Sequence, residues 1–218
     1  MRDLDRADLG KADLDKVDLD KVLADIAAIR SQVAAGTAFQ GYGPSAVALT
    51  GGLALVTASV QALLLDDATA RPLTFLAGWV ATALVSVGVI GAEMRARSRR
   101  HHSGLADAMI LNAVEAFLPA AAAGALLLLV LARLVPDSLW LLPGLWQMLV
   151  GLGLFASLRA LPRPVAWAAG WYLVAGLGAI AASAEGRALS PWTMGLPFAL
   201  GQGLLALILH RAPGGDHA

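Results

Sequence analysis

Glu115 and Asn112 stand three residues apart in the apolar run Met109–Phe117, a spacing that puts both on one face of a helix. A carboxylate held in hydrocarbon is costly unless it pairs, takes up a proton or meets water, so Glu115 is a candidate proton- or cation-binding group with Asn112 beside it. A shift of register gives a plainer account. If the membrane span starts at Ala116, Glu115 is an interfacial residue within reach of Arg95 or Arg97. Gln202 lies between Gly201 and Gly203, where bare backbone leaves room for a solute. Gln61 and Gln147 are the other amides within or bordering apolar runs. Their ordinary role is hydrogen bonding between helices, worth ~0.6 kcal/mol on average.

Other chemistries find no support. The chain has no cysteine, which removes disulfides, thiolate metal sites, iron–sulfur clusters and cysteine nucleophiles. No histidine falls inside an apolar run, so a haem held by two histidines within a bundle is excluded. His101 and His102 are adjacent and would project in different directions from a helix. There is no G-x-S-x-G elbow, H-E-x-x-H motif or phosphate-binding glycine loop, and Ser45 after Gly43-Pro44 has no histidine at its depth. Arg95–Arg100 reads as a topology signal rather than a nucleic-acid patch, with anionic lipid as a possible contact. Trp167, Trp171 and Tyr172 could stack on a quinone, but packing is the commoner use of such rings. No catalytic residue, cofactor or metal is therefore assigned, and the chain reads as non-enzymatic.

The elements that carry these residues follow from composition. Of 218 residues, 58% are hydrophobic and 15% charged, against about 45–50% and 25% in a soluble domain. Six runs approach the ~20 apolar residues that cross a bilayer, and inside lipid each must be a helix. They are 45–65, 73–92, 109–134, 139–157, 165–182 and 191–209. The expected fold is all-α: a polytopic six-helix membrane bundle over 41–211, between a tail at 1–40 and a short one at 212–218. The tail has no apolar core of signal-peptide length, so the first span is expected to direct insertion.

Placing the N-terminus in the cytoplasm puts Arg95, Arg97, Arg99, Arg100, Arg159, Arg163 and Arg211 on the inner side, against Arg71, Arg133 and Arg187 outside. This implies the inner (cytoplasmic) membrane with both termini cytoplasmic. The Ala-, Leu-, Val- and Arg-rich usage suggests a bacterium. Small-residue stripes are expected to pack helices together: Gly78, Thr82 and Ser86; Ala166, Gly170 and Gly178; Gly195, Ala199 and Gly203. A stripe is also a possible dimer face. Pro119, Pro143 and Pro197 are expected to kink three spans.

Residues 2–21 repeat every five: RDLDR, ADLGK, ADLDK, VDLDK. The unit resembles the A-D/N-L-x-x repeat of pentapeptide-repeat proteins, which implies a square β-helix. The resemblance covers these twenty residues alone, and one coil cannot bury its own leucines. As an α-helix the same segment gains Asp-to-base pairs at i,i+3 but no single apolar face. A frayed helix or disorder is the favoured reading.

The next stretch is better patterned. Leu19, Val22, Ile26, Ile29 and Val33 follow a 3-4-3-4 spacing with Leu23 beside the seam, giving an amphipathic helix over 18–35 that stops at Gly36. Asp18, Asp20 and Asp25 make it a poor match for anionic lipid. A protein surface suits it better: this chain's own loops, another protomer or a separate partner.

Two functions are consistent with these features. One is a membrane subunit or regulator that docks a partner or second protomer through residues 18–35. The alternative is a small-solute or ion transporter or channel using Glu115 and Gln202. Besides the lipid bilayer, the expected partner is a protein; no nucleic acid is implied.

Overall fold

A computed structural model describes residue 26 and residues 43–101, 104–159 and 161–211, with side chains for all but 97–101, 104–114, 116 and 159. The chain divides into two compact units, Met1–Ala38 and Phe39–Ala218. In the first, Ile26 is helical and exposed. The pentad repeat and the remaining seam residues Leu19, Val22, Leu23, Ile29 and Val33 lie outside the described residues.

In the second unit every regular element among the described residues is helical. The order is α1 (Pro44–Leu64), α2 (Pro72–His101), α3 (Gly104–Leu134), a 3-10 segment (Pro136–Leu141), α4 (Leu142–Ala156), a 3-10 turn (Ser157–Arg159), α5 (Val165–Ala184) and α6 (Trp192–Arg211). Among the described residues six stretches are long and apolar enough to cross a membrane: Pro44–Leu64, Pro72–Ala96, Phe117–Leu134, Pro136–Ala156, Val165–Ala184 and Trp192–Arg211. The protein is a multi-pass helical membrane bundle.

Local chemistry sets the helix boundaries. Pro44 and Pro72 each open a helix where no backbone donor is needed. After α1 the Asp67 carboxylate accepts the amides of Thr69 (2.8 Å) and Ala70 (3.2 Å), turning the chain toward α2. Before α6 the Ser190 carbonyl accepts the Thr193 hydroxyl at 2.7 Å. Pro143 does not kink a span, contrary to expectation. The 3-10 segment precedes it, so it falls in the first turn of α4, where the missing amide breaks no bond. Pro119 and Pro197 do lie inside helices.

The connections after α1 and α5 meet: the Leu189 amide donates to the Thr69 hydroxyl at 3.0 Å. Ala68, Leu139 and Leu189 share a core with Phe75, Trp79 and Met194. Call this the loop end. At the opposite end Val47, Val165, Ala168 and Leu209 form a second core with Leu158 and Leu161. Gly43 and Arg211 are both at this terminal end, as an even number of crossings requires.

The helices pack in the order α2–α1–α6–α5–α4–α3, with α4 against α5 and α1 against α6 the most extensive seams. The two ends of the series, α2 and α3, barely touch. Only 17% of the α2 span and 6% of the α3 span is buried, against 33–39% for the other four, so α2 and α3 are the peripheral helices. Their outward leucines and valines, such as Leu84, Val87, Leu118 and Leu126, suit lipid.

Close approach at the α4–α5 seam depends on two glycines. A Cβ on Gly144 would meet the Gly176 carbonyl at 2.5 Å, and one on Gly176 the Gly144 carbonyl at 2.6 Å. The stripe expected on α5 is therefore displaced. Gly170 and Gly178 have open space beside them, and the helix packs through Ala169, Tyr172 and Gly176. On α6, Gly195 packs on Ala58 as a seam residue should, whereas Gly203 stands free.

Candidate functional site

The polar side chains within the bundle serve its own backbone. Gln61 on α1 is buried, and its Nε2 donates to the Phe75 carbonyl of α2 at 2.9 Å. Gly78 makes room for this amide, since a Cβ there would strike it. One turn along, the Thr57 and Thr82 hydroxyls are 2.7 Å apart. Thr82 also donates to the Gly78 carbonyl at 2.9 Å, which leaves Thr57 as the donor between helices.

A second group gathers on α6 around Pro197. Proline has no amide hydrogen, so the carbonyl four residues earlier, that of Thr193, loses its helical donor. Gln147 of α4 supplies the replacement, its Nε2 donating to the Thr193 carbonyl at 2.9 Å. The Trp171 indole donates to the Pro197 carbonyl at 2.9 Å. The Tyr172 hydroxyl lies 3.5 Å from the Phe198 carbonyl, and its ring tilts against Phe198 with centroids 5.3 Å apart. Trp79 also stacks on Phe198, with centroids 6.4 Å apart. The kink is thus held by amide and aromatic donors from two neighbouring helices. Gln61 Oε1, Gln147 Oε1 and the Trp79 indole nitrogen are buried without hydrogen-bond partners among the described residues.

Gln202 is half-buried where α6 meets α1 and α5. Its Cβ lies 3.0 Å from where a Gly51 side chain would begin, and its amide is within hydrogen-bonding reach of the Tyr172 hydroxyl. Glu115 is exposed on α3, two residues before the apolar stretch at Phe117. The Asn112 backbone is helical, and its side chain lies outside the described set. The structure does not join Glu115 to Gln202: one stands on the peripheral helix α3, the other between α1 and α5. No group of three or more His, Asp or Glu among the described residues could hold a metal ion.

One acidic residue escaped the sequence reading. Glu93, near the terminal end of α2, places its carboxylate where a Gly43 side chain would stand, and Oε1 accepts the Ser45 hydroxyl at 3.3 Å. The carboxylate therefore lies at the start of α1, where the unsatisfied amides and the helix dipole favour negative charge. It directly follows the apolar run expected to span 73–92. Gly43 was the available signal: a glycine beside a helix-opening proline leaves space for another helix's side chain.

Comparison with protein-family models, curated proteins and solved structures finds no match to this chain. What fold and site together define is a multi-pass helical membrane protein.

Proposed function

We propose that the protein is a non-enzymatic subunit or regulator in the inner membrane, with both termini cytoplasmic, which docks a protein partner or a second protomer through its helix at 18–35. The observation that carries this is Ile26. It belongs to the apolar seam of that helix, it is helical, and it is 42% exposed. An apolar side chain left open to water at a seam position is stabilised by a partner surface. The bundle adds support, since Gln61, Gln147 and Trp171 are committed to holding helices together.

The transporter alternative draws on Glu115 and Gln202. Exposure of Glu115 and the placement of Gln202 against Gly51 and Tyr172 give it less support.

The test is crosslinking in native membranes followed by pull-down. It compares the full chain with Ile26→Asp/Ile29→Asp and with a chain lacking 1–35. A crosslinked partner or oligomer present with the full chain and lost from both altered chains is the expected result. Identical products from all three would overturn the docking role, and solute flux with Glu115→Gln would be the next measurement.

A further inference from the structure

Because α2 and α3 barely pack, an apolar groove of about 460 Å³ runs between them. Leu73, Ala77, Ala81 and Leu84 line it from α2, and Leu129 and Ala132 from α3. Leu73 to Leu84 is about 16 Å of helix at ~1.5 Å per residue. That is roughly half of a ~30 Å hydrocarbon core. Leu84 falls near the middle of the Pro72–Ala96 span, so the groove occupies one leaflet, from the loop end to the bilayer centre. A helix of a second copy would need a groove through both leaflets; a single lipid chain needs only one.

Two arginines stand at the loop end of the groove, alongside carboxylates that balance their charge. Arg71 stands two residues before Leu73, Arg133 follows Ala132, and both are exposed. They are two of only three basic residues in the loop-end connections, the third being Arg187. The α2 N-terminus opens at the same place, and helix N-termini attract phosphate. Asp66 and Asp137 also belong to this rim, while Asp67 is engaged by the Thr69 and Ala70 amides.

We propose that the α2–α3 groove is a binding site for one anionic phospholipid, with an acyl chain along Leu73–Leu84 and the phosphate between Arg71 and Arg133. Guanidinium groups suit phosphate because their planar donors match its oxygens in pairs. Arg133 also sits in the last turn of α3, where a cation favours the helix dipole, so stability and lipid binding must be read separately.

The experiment uses the full chain purified in detergent and titrated with phosphatidylglycerol or with diacylglycerol, which lacks the phosphate. Bound lipid is counted by native mass spectrometry, with size-exclusion elution as the check on folding. Phosphatidylglycerol should be retained at one per chain and diacylglycerol weakly. Arg71→Gln/Arg133→Gln should weaken retention roughly tenfold, as loss of about 1.4 kcal/mol per decade implies. Arg71→Lys/Arg133→Lys should retain part of it. Ala81→Phe, which fills the groove, should abolish it, while Val174→Phe on the exposed face of α5 should not. Equal retention of both lipids, or retention indifferent to Ala81→Phe in a folded protein, would overturn the proposal. So would a groove substitution that changes the oligomeric state and leaves lipid untouched.

Discussion

Gln147 and Pro197 form a pair in which one residue compensates for a deficit created by the other. Removing the Gln147 donor leaves the Thr193 carbonyl without a partner in an apolar interior. We expect Gln147→Met to cost about 1 kcal/mol in reversible unfolding from detergent or bicelles. Pro197→Ala restores a backbone amide at that position, so in its background the same change should cost much less. A double-mutant cycle in which the two costs simply add would remove this account. Only half of the pair was legible beforehand. Pro197 announces its kink from the sequence, and Gln147 announces a polar group in an apolar run. That the second repairs the first depends on α4 and α6 meeting at one depth, which no spacing along the chain encodes.

Among the elements, α5 shows why spans were readable and faces were not. Its boundaries at Val165 and Ala184 follow from hydropathy and from the breakers around them, and the expected span of 165–182 is close. The packing face differs from the expected one. The Ala166-Gly170-Gly178 stripe and the observed Ala169-Gly176 stripe are alike in composition and differ by rotation about the helix. In water the apolar side of a helix reveals its buried face. In lipid, tails are as apolar as leucine and that contrast disappears.

The structure makes the distinction measurable. Gly176→Leu must displace the Gly144 carbonyl and the Met148 side chain, and should cost about 2–3 kcal/mol or abolish folded yield. Gly178→Leu enters open space and should stay within about 0.5 kcal/mol of the parent. Thermal melts of the two purified variants would check this. A tolerated Gly176→Leu would refute the seam.

In the whole molecule, the six spans expected from the sequence correspond to six helical stretches among the described residues that are long and apolar enough to cross a membrane, and the Leu189–Thr69 hydrogen bond brings the connections after α1 and α5 to one end. Which side of the membrane each end faces rests on the arginine distribution alone. The absence of cysteine makes the test clean, because any single cysteine is the only label site. Ala70→Cys and Ala188→Cys lie in exposed loop-end turns, and Arg163→Cys in an exposed turn at the other end. In intact cells a membrane-impermeant maleimide should label the first two at once and the third only after permeabilisation. The reverse pattern would invert the proposed orientation. Function was less legible than fold for a physical reason. A bilayer-spanning protein needs buried amides and hydroxyls merely to join its helices, so the residues that would betray a solute path in a soluble protein here have a structural use.

The seam between α1 and α6 also has a meaning in time. The ribosome makes α1 first among the spans and α6 last, with roughly 130 residues between them, on the order of ten seconds of synthesis at about 5–20 residues per second. During that interval Gly51, Ala54 and Ala58 have no Gly195 or Ala199 to pack against, and lipid or the insertion machinery must cover them. The bundle closes on its own beginning only when its final helix arrives, so a chain that stalls before Trp192 enters the membrane with its second-largest seam open.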